Sequence, residues 1–135
     1  MSKGCPPECG SKCCRYITVE IESPVKNKTN RDEMRWYLFH ENIHLLREDG
    51  SWYLQIDTRC GQLGDDGLCK TYEDRPKVCR EYETKGCDYH GGPNDKQKLI
   101  STAEQWEAYL AQRKRKKAEK KRKRKAKKRD KKKRR

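Results

Sequence analysis

In the stretch RYITVEIES, residues 15–23, Ile17, Val19 and Ile21 fall on one side of the chain and Thr18, Glu20 and Glu22 on the other. A period of two is that of a half-buried strand. Pro24 ends it, and VKNKTN follows as a polar loop. Asn30, with Glu33 three residues on and Asp32 between them, makes a capping box and predicts a helix from about Arg31 to Leu46. Met34, Leu38, Ile43 and Leu45, with Trp36 or Tyr37, supply its imperfect apolar stripe. EDGS then turns into WYLQID, where Trp52, Leu54 and Ile56 alternate as in a second strand.

From Cys60 to Gly92 both periods disappear. Gly61, Gly64, Gly67, Gly86, Gly91 and Gly92, with Pro76, predict a loop-rich segment with short helical turns. An irregular stretch of that length in a small domain needs something to organise it. Farther on, Ser101 and Glu104 form a second capping box, and Trp106, Tyr109 and Leu110 share one side of the helix it starts. Lys, Arg and Ala are good helix formers, so this helix is expected to run on into the C-terminal tail. Repulsion among the tail's cations would fray it in isolation.

Charge divides the chain. Residues 113–135 hold 19 Lys or Arg against Glu119 and Asp130, a local charge of +17. Set against the total of +14, this leaves −3 on residues 1–112. The basicity therefore belongs to the tail, and the folded part is slightly acidic. The reading is an α+β protein in three parts: a small metal-stapled cysteine-cluster domain at 1–95 with a loop-rich second half, the start of a C-terminal helix at 96–112, and a Lys/Arg-rich tail at 113–135. No apolar run approaches the length of a membrane span. MSKGCPPECG lacks the apolar region of a secretion signal. A cytoplasmic chain is expected, and there cysteine clusters read as metal-binding or catalytic rather than as disulfide frameworks.

The chain has 8 cysteines: Cys5, Cys9, Cys13, Cys14, Cys60, Cys69, Cys79 and Cys87. Thiolates are soft donors suited to zinc and to iron–sulfur centres, which commonly take about four of them. The set could fill two four-ligand sites or one multinuclear cluster with bridging thiolates. The side chains of adjacent Cys13 and Cys14 diverge, which favours more than one metal ion. A domain this small and polar gains most from such a staple.

CPPECGSKCC together with CGQLGDDGLCKTYEDRPKVCREY resembles the CxxCxxCC family of zinc- or iron-chelating domains, also called YkgJ-like cysteine cluster proteins. The second stretch carries most of the likeness: Cys60, Leu63, Asp66-Gly67, Cys69, Tyr72, Glu73, Arg75-Pro76, Cys79-Arg80 and Tyr82. The first cluster departs from the family name in spacing, with three residues rather than two between its cysteines. The resemblance covers roughly residues 5–90 and implies chelation of zinc or iron, with no particular reaction. Arg75 and Arg80 flank Cys79 and are expected to offset thiolate charge from behind the ligands.

Histidines are weaker candidates. HENIH, from His40 through Glu41 to His44, has the form of a zinc-protease motif and would put both imidazoles on one helix face. No third ligand accompanies it, and helix-surface histidines are the preferred reading. His90, three residues after Cys87, is the better auxiliary ligand. The GDDG turn at 64–67 lacks the donors of a calcium loop and reads as a turn.

Arg113, Lys114, Arg115, Lys116, Lys117, Lys120, Lys121, Arg122, Lys123 and Arg124 begin a run dense enough to neutralise many phosphates. Sequence-independent nucleic-acid binding is expected, with RNA the favoured partner. The tail has no aromatic residue for base stacking and no apolar face for a membrane. The expected function is thus a metal-chelating cysteine-cluster protein with a nucleic-acid-binding tail. The alternative is an iron or iron–sulfur redox protein or enzyme acting on a macromolecule that the tail holds.

Overall fold

The computed structural model describes residues 7–82, Cys87 and residues 97–135. The first alternating stretch forms strand β1, Tyr16–Ile21. Helix α1 (Lys28–Leu38) follows, then β2 (Ile43–Glu48) and β3 (Ser51–Asp57). Helix α2 (Lys77–Arg80) is a single turn, β4 is Gln97–Ile100, and α3 runs from Ala103 to Lys133. The sheet order is β1-β3-β2-β4, with every neighbouring pair antiparallel. The α+β class expected from the sequence is the class observed.

The helix expected at Arg31–Leu46 is split in two. Asn27, not Asn30, caps α1: its backbone is extended and its side chain accepts the Asn30 N–H at 2.8 Å. The helix ends at Leu38, the chain reverses at Asn42 in the left-handed region (φ 64°), and β2 begins. Asn tolerates that conformation better than most residues. Met34, Leu38 and Leu45 are all buried, as one apolar stripe would require, but they reach the core from two elements.

Asp49 and Gly50, at φ 47° and 86°, close the tight β2–β3 hairpin. Two successive left-handed residues match the twist of the strands they join. Leu45 pairs with Leu54 on one side and Ile100 on the other. Above this face lie α1 and α3, so Trp52, Leu45, Ile100, Met34, Leu38 and Trp106 make one core. Trp52 meets Trp106 edge-on at 6.0 Å, and Tyr109 stacks on Trp106 at 5.7 Å. Trp106 Nε1 donates to the Arg31 carbonyl at 2.9 Å, so its one polar atom is satisfied within the core. Strand β1 lies at the sheet's edge, where Ile21 joins the core but Ile17 and Val19 stay 52% and 50% exposed. It is less covered than its pattern suggests.

The α3 cap falls one residue later than expected. Thr102 Oγ1 accepts the Gln105 N–H at 3.1 Å, and Gln105 Oε1 accepts the Ser101 N–H at 2.7 Å. From there a single helix spans both the packed segment and the basic tail. It runs back along the sheet from the β4 end toward the β2–β3 hairpin, where Arg47 Nη1 donates to Tyr109 Oη at 3.4 Å. Past that point it leaves the domain. No described helix is long and apolar enough to cross a membrane.

Candidate metal centre

The first cysteine cluster and Cys60 lie at the other end of the sheet, where β1 starts and β3 ends. Pro7–Cys9 and Lys12–Cys14 are 3-10 turns joined by Gly10 (φ 61°) and Ser11 (φ 55°). Two left-handed residues in a row fold the first cluster into a compact knuckle. Cys9 is buried within it, Cys14 half-buried and Cys13 exposed.

The β1–β3 ladder does not stop at the strand ends. Thr58 N–H donates to the Arg15 carbonyl at 2.9 Å and Cys60 N–H to the Cys14 carbonyl at 2.8 Å. Antiparallel pairing thus carries the first cysteine cluster to the start of the second. A further tie comes from Ser11, which is buried and donates its hydroxyl to the Gly67 carbonyl at 2.8 Å. Gly67 has φ 78°, a left-handed conformation that favours glycine, and a Cβ built there would lie in ordinary contact with Ser11 Oγ at 3.4 Å.

Residues 60–70 return on themselves as a small loop. Leu63 and Cys69 bridge in antiparallel fashion, Lys70 N–H donates to Gln62 O at 2.8 Å, and Gly64 N–H to Leu68 O at 2.8 Å. The GDDG segment at its tip is a turn, with Asp66 Oδ1 accepting the Leu68 N–H at 3.0 Å. Leu63 is buried beneath it. Cys60 is exposed and Cys69 half-buried, its Sγ 3.7 Å from Thr71 Oγ1. The chain then passes a 3-10 turn at Tyr72–Asp74 into α2, which presents Cys79 to solvent. Cys87 is half-buried. Cys5 and His90 lie outside the described residues.

Four arginines hold these loops, each by hydrogen bonds to backbone carbonyls. Arg15 Nε donates to Gly10 O at 2.8 Å, and Arg59 Nη2 to Leu63 O at 2.7 Å. Arg75 Nε donates to Tyr72 O at 2.9 Å and Nη1 to Cys79 O at 3.5 Å, with its guanidinium 4.0 Å above the Tyr72 ring. Arg80 donates to Arg75 O at 2.9 Å and Glu73 O at 3.1 Å. Arg75 and Arg80 were singled out from the sequence; Arg15 and Arg59 were not. The signal was present, because each adjoins a cysteine in the chain, as Cys14-Arg15 and Arg59-Cys60.

The structure brings together Cys14 and Cys60 through their backbones and sets the knuckle against the 60–70 loop. Among the described residues, no three of His, Cys, Asp or Glu are gathered as a group that could hold a metal ion. The donors are right in kind, the first cluster and Cys60 share one end of the sheet, and Cys13, Cys60 and Cys79 are open to solvent.

The zinc-protease reading of HENIH does not survive. His40 lies beyond the end of α1, donating from Nδ1 to the Trp36 carbonyl at 2.8 Å, whereas His44 is on β2. The two are not on one helix face, because the helix that would align them ends at Leu38.

His44 has another setting. Its Nδ1 shares a hydrogen bond with Ser101 Oγ at 2.7 Å and its Nε2 one with Asp57 Oδ2 at 2.6 Å. In hydrolytic triads Nε2 faces the hydroxyl and Nδ1 the carboxylate; here the assignments are reversed. The array instead ties β2 to the end of β3 and to the turn before α3. No sequence signal pointed to it, since its outer members approach His44 from 13 and 57 residues away.

Burial pushes the Asp57 carboxyl up, but hydrogen bonds from His44 and Gln55 and the charge of His44 outweigh it and hold the group below its ordinary value. A carboxylate so depressed stabilises the fold fully above its unfolded value and ceases to do so as pH falls through the folded one. Asp57→Asn should therefore lower the melting temperature at neutral pH. The gap to the wild type should close in acid, as thermal unfolding across a pH series would measure.

The remaining candidates lie on α3. Arg113 is half-buried at the domain's edge, and Lys114, Arg115, Lys116, Lys117, Lys120, Lys121, Arg122, Lys123 and Arg124 are exposed. Lys123 pairs with Glu119 at 2.6 Å.

A family model, CxxCxxCC, described as "Putative zinc- or iron-chelating domain", matches residues 4–107. It takes in all the cysteines and stops within α3, leaving the whole basic segment at 113–135 outside. No curated protein and no solved structure matches the chain.

Proposed function

The chain belongs to the CxxCxxCC family of zinc- or iron-chelating domains, and from that premise we propose that its cysteines bind zinc or iron between the 9–14 knuckle and the cysteines that follow β3, while α3 tethers the domain to nucleic acid. The observation that carries the first half is the Cys60–Cys14 backbone hydrogen bond, which prolongs the β1–β3 ladder until the two cysteine groups are neighbours. Cys9, Cys13, Cys14, Cys60, Cys69, Cys79 and Cys87, with Cys5, are the ligand set. The ion would give a common centre to thiolates of which Cys13, Cys60 and Cys79 otherwise face water. Arg15, Arg59, Arg75 and Arg80 offset the charge those thiolates accumulate and hold the carbonyls of their loops.

The second half rests on charge. Residues 113–135 carry +17 on an exposed helix attached to a body of −3. Such a segment binds phosphates and releases counterions, so its affinity falls steeply with salt. Because α3 leaves past Arg47 and the hairpin, its basic part points away from the cysteine loops. That separation favours a tether over a clamp that would present a substrate to the metal.

Anaerobically purified protein should contain zinc or iron in stoichiometric amount by elemental analysis, and Cys60→Ser should lower that content at least several-fold. A colourless protein with zinc fits a structural centre. A brown protein with acid-labile sulfide would move the reading to an iron–sulfur redox function. Absence of both metals would overturn the chelation proposal.

A further inference from the structure

The charge on α3 is not spread evenly around the helix. Residues advance about 100° each, so Ala118, Glu119, Ala126 and Asp130, the four residues of 113–135 that are not basic, fall within about 120° of one another. The opposite half, centred on Arg124 and including Lys117, Lys121 and Lys128, is Lys or Arg at every position. Counting the basic residues at its borders, the cationic arc exceeds half the circumference. It also prolongs the face that Trp106, Tyr109 and Leu110 pack against the domain.

Resting on the reading that α3 binds nucleic acid, we infer that its occupant is the major groove of a B-form DNA duplex. A flat polyanionic surface would meet about a third of a helix, and the rest of the arc would be wasted on solvent. A groove has phosphates on both walls and can meet more than half. The B-DNA major groove is about 12 Å wide and an α-helix with its side chains about 10–12 Å across. The basic segment, at about 1.5 Å per residue, is roughly 30 Å long, close to one turn of the duplex. The A-form major groove is too narrow for such a helix. Single strands are bound by stacking bases on aromatic side chains, and the segment has none. The expected cytoplasmic setting favoured RNA; the distribution of charge favours duplex DNA. The two acidic residues then face outward, away from both phosphate rows.

The test exchanges positions without altering composition. In the full-length, metal-loaded chain, Lys117→Glu with Glu119→Lys and Lys128→Asp with Asp130→Lys move both acids to the centre of the cationic arc. Net charge and length are unchanged, and Glu at 117 regains an i,i+4 partner in Lys121. Circular dichroism of each protein bound to DNA checks that helix content is equal. Affinities are measured near 150 mM salt for a 20-base-pair DNA duplex, the matching single strand and an RNA duplex of the same sequence. The wild type should prefer the DNA duplex to either alternative about tenfold. The exchanged variant should lose about tenfold on that duplex alone. Equal duplex affinity for the two proteins, or tighter wild-type binding to RNA or to the single strand, would overturn the groove assignment while leaving nucleic-acid binding by α3 intact. If the wild type binds none of the three, the underlying reading fails instead.

Discussion

Stripping the metal is expected to melt the cysteine loops and leave the sheet folded. The two regions differ in what holds them. The sheet has its own core, in which Leu45, Ile100 and Trp106 are fully buried and Trp52 nearly so. Between Thr58 and Tyr82 only Leu63 is a buried large apolar side chain, whereas Leu68, Val78 and Tyr82 are exposed. The loops lean on Ser11, on the carbonyl hydrogen bonds of Arg59, Arg75 and Arg80 and on short turns, each worth about 1 kcal/mol or a little more. A metal held by several thiolates contributes on the order of 10 kcal/mol to the structure that binds it.

Chelation should therefore lower amide protection in residues 60–82 by at least about a thousandfold, since each 1.4 kcal/mol is a factor of ten. The amides of Leu45, Trp52 and Leu54 should keep theirs. Hydrogen exchange with and without chelator would show it. An unchanged pattern throughout would mean that the loops fold without the metal.

Much of this was legible in the chain, and the failures have physical causes. Trp52, Leu54 and Ile56 alternate because β3 is central and one of its faces is covered, so that strand could be read directly. Strand β2 is paired on both sides, and its residues are nearly all half-buried; IHLLRE shows no clean alternation and was absorbed into the preceding helix. What separates them is Asn42, whose left-handed turn no hydrophobic pattern records. The α3 cap shifted by one residue because Ser101 and Thr102 are both competent caps, and Gln105 decided between them.

At the cysteine end, the sequence divided the thiols into two groups but could not say how the groups meet. That depends on the β1–β3 register, in which Tyr16 faces Asp57 and the next residues outward continue the ladder to Cys14 and Cys60. Register is a property of two strands and their shared core, and a single run of residues does not contain it. The arginines show the converse. Arg15 and Arg59 sit beside cysteines in plain view, yet their value appears only when the loops they brace have taken shape.

Removing residues 113–135 should abolish tight binding to nucleic acid while leaving the metal content as it was. The truncation ends α3 after Trp106, Tyr109 and Leu110, so the core of the sheet and helices is retained. The charge of the chain changes from +14 to −3, and a body of that sign repels phosphates. If the intact segment contacts six to ten phosphates, affinity near 50 mM salt should exceed that of the truncated chain by at least about a thousandfold. The slope of log affinity against log salt should be about −5 to −9 for the intact protein. Titration of both proteins into labelled DNA across a salt series reads the difference and the slope together. The metal is the internal control: the proposed site begins at the opposite end of the sheet, where Cys14 and Cys60 meet, so the stoichiometry should not move. Loss of metal on truncation would show that the two ends are coupled, and retained DNA binding would place the phosphate contacts on the body rather than on α3.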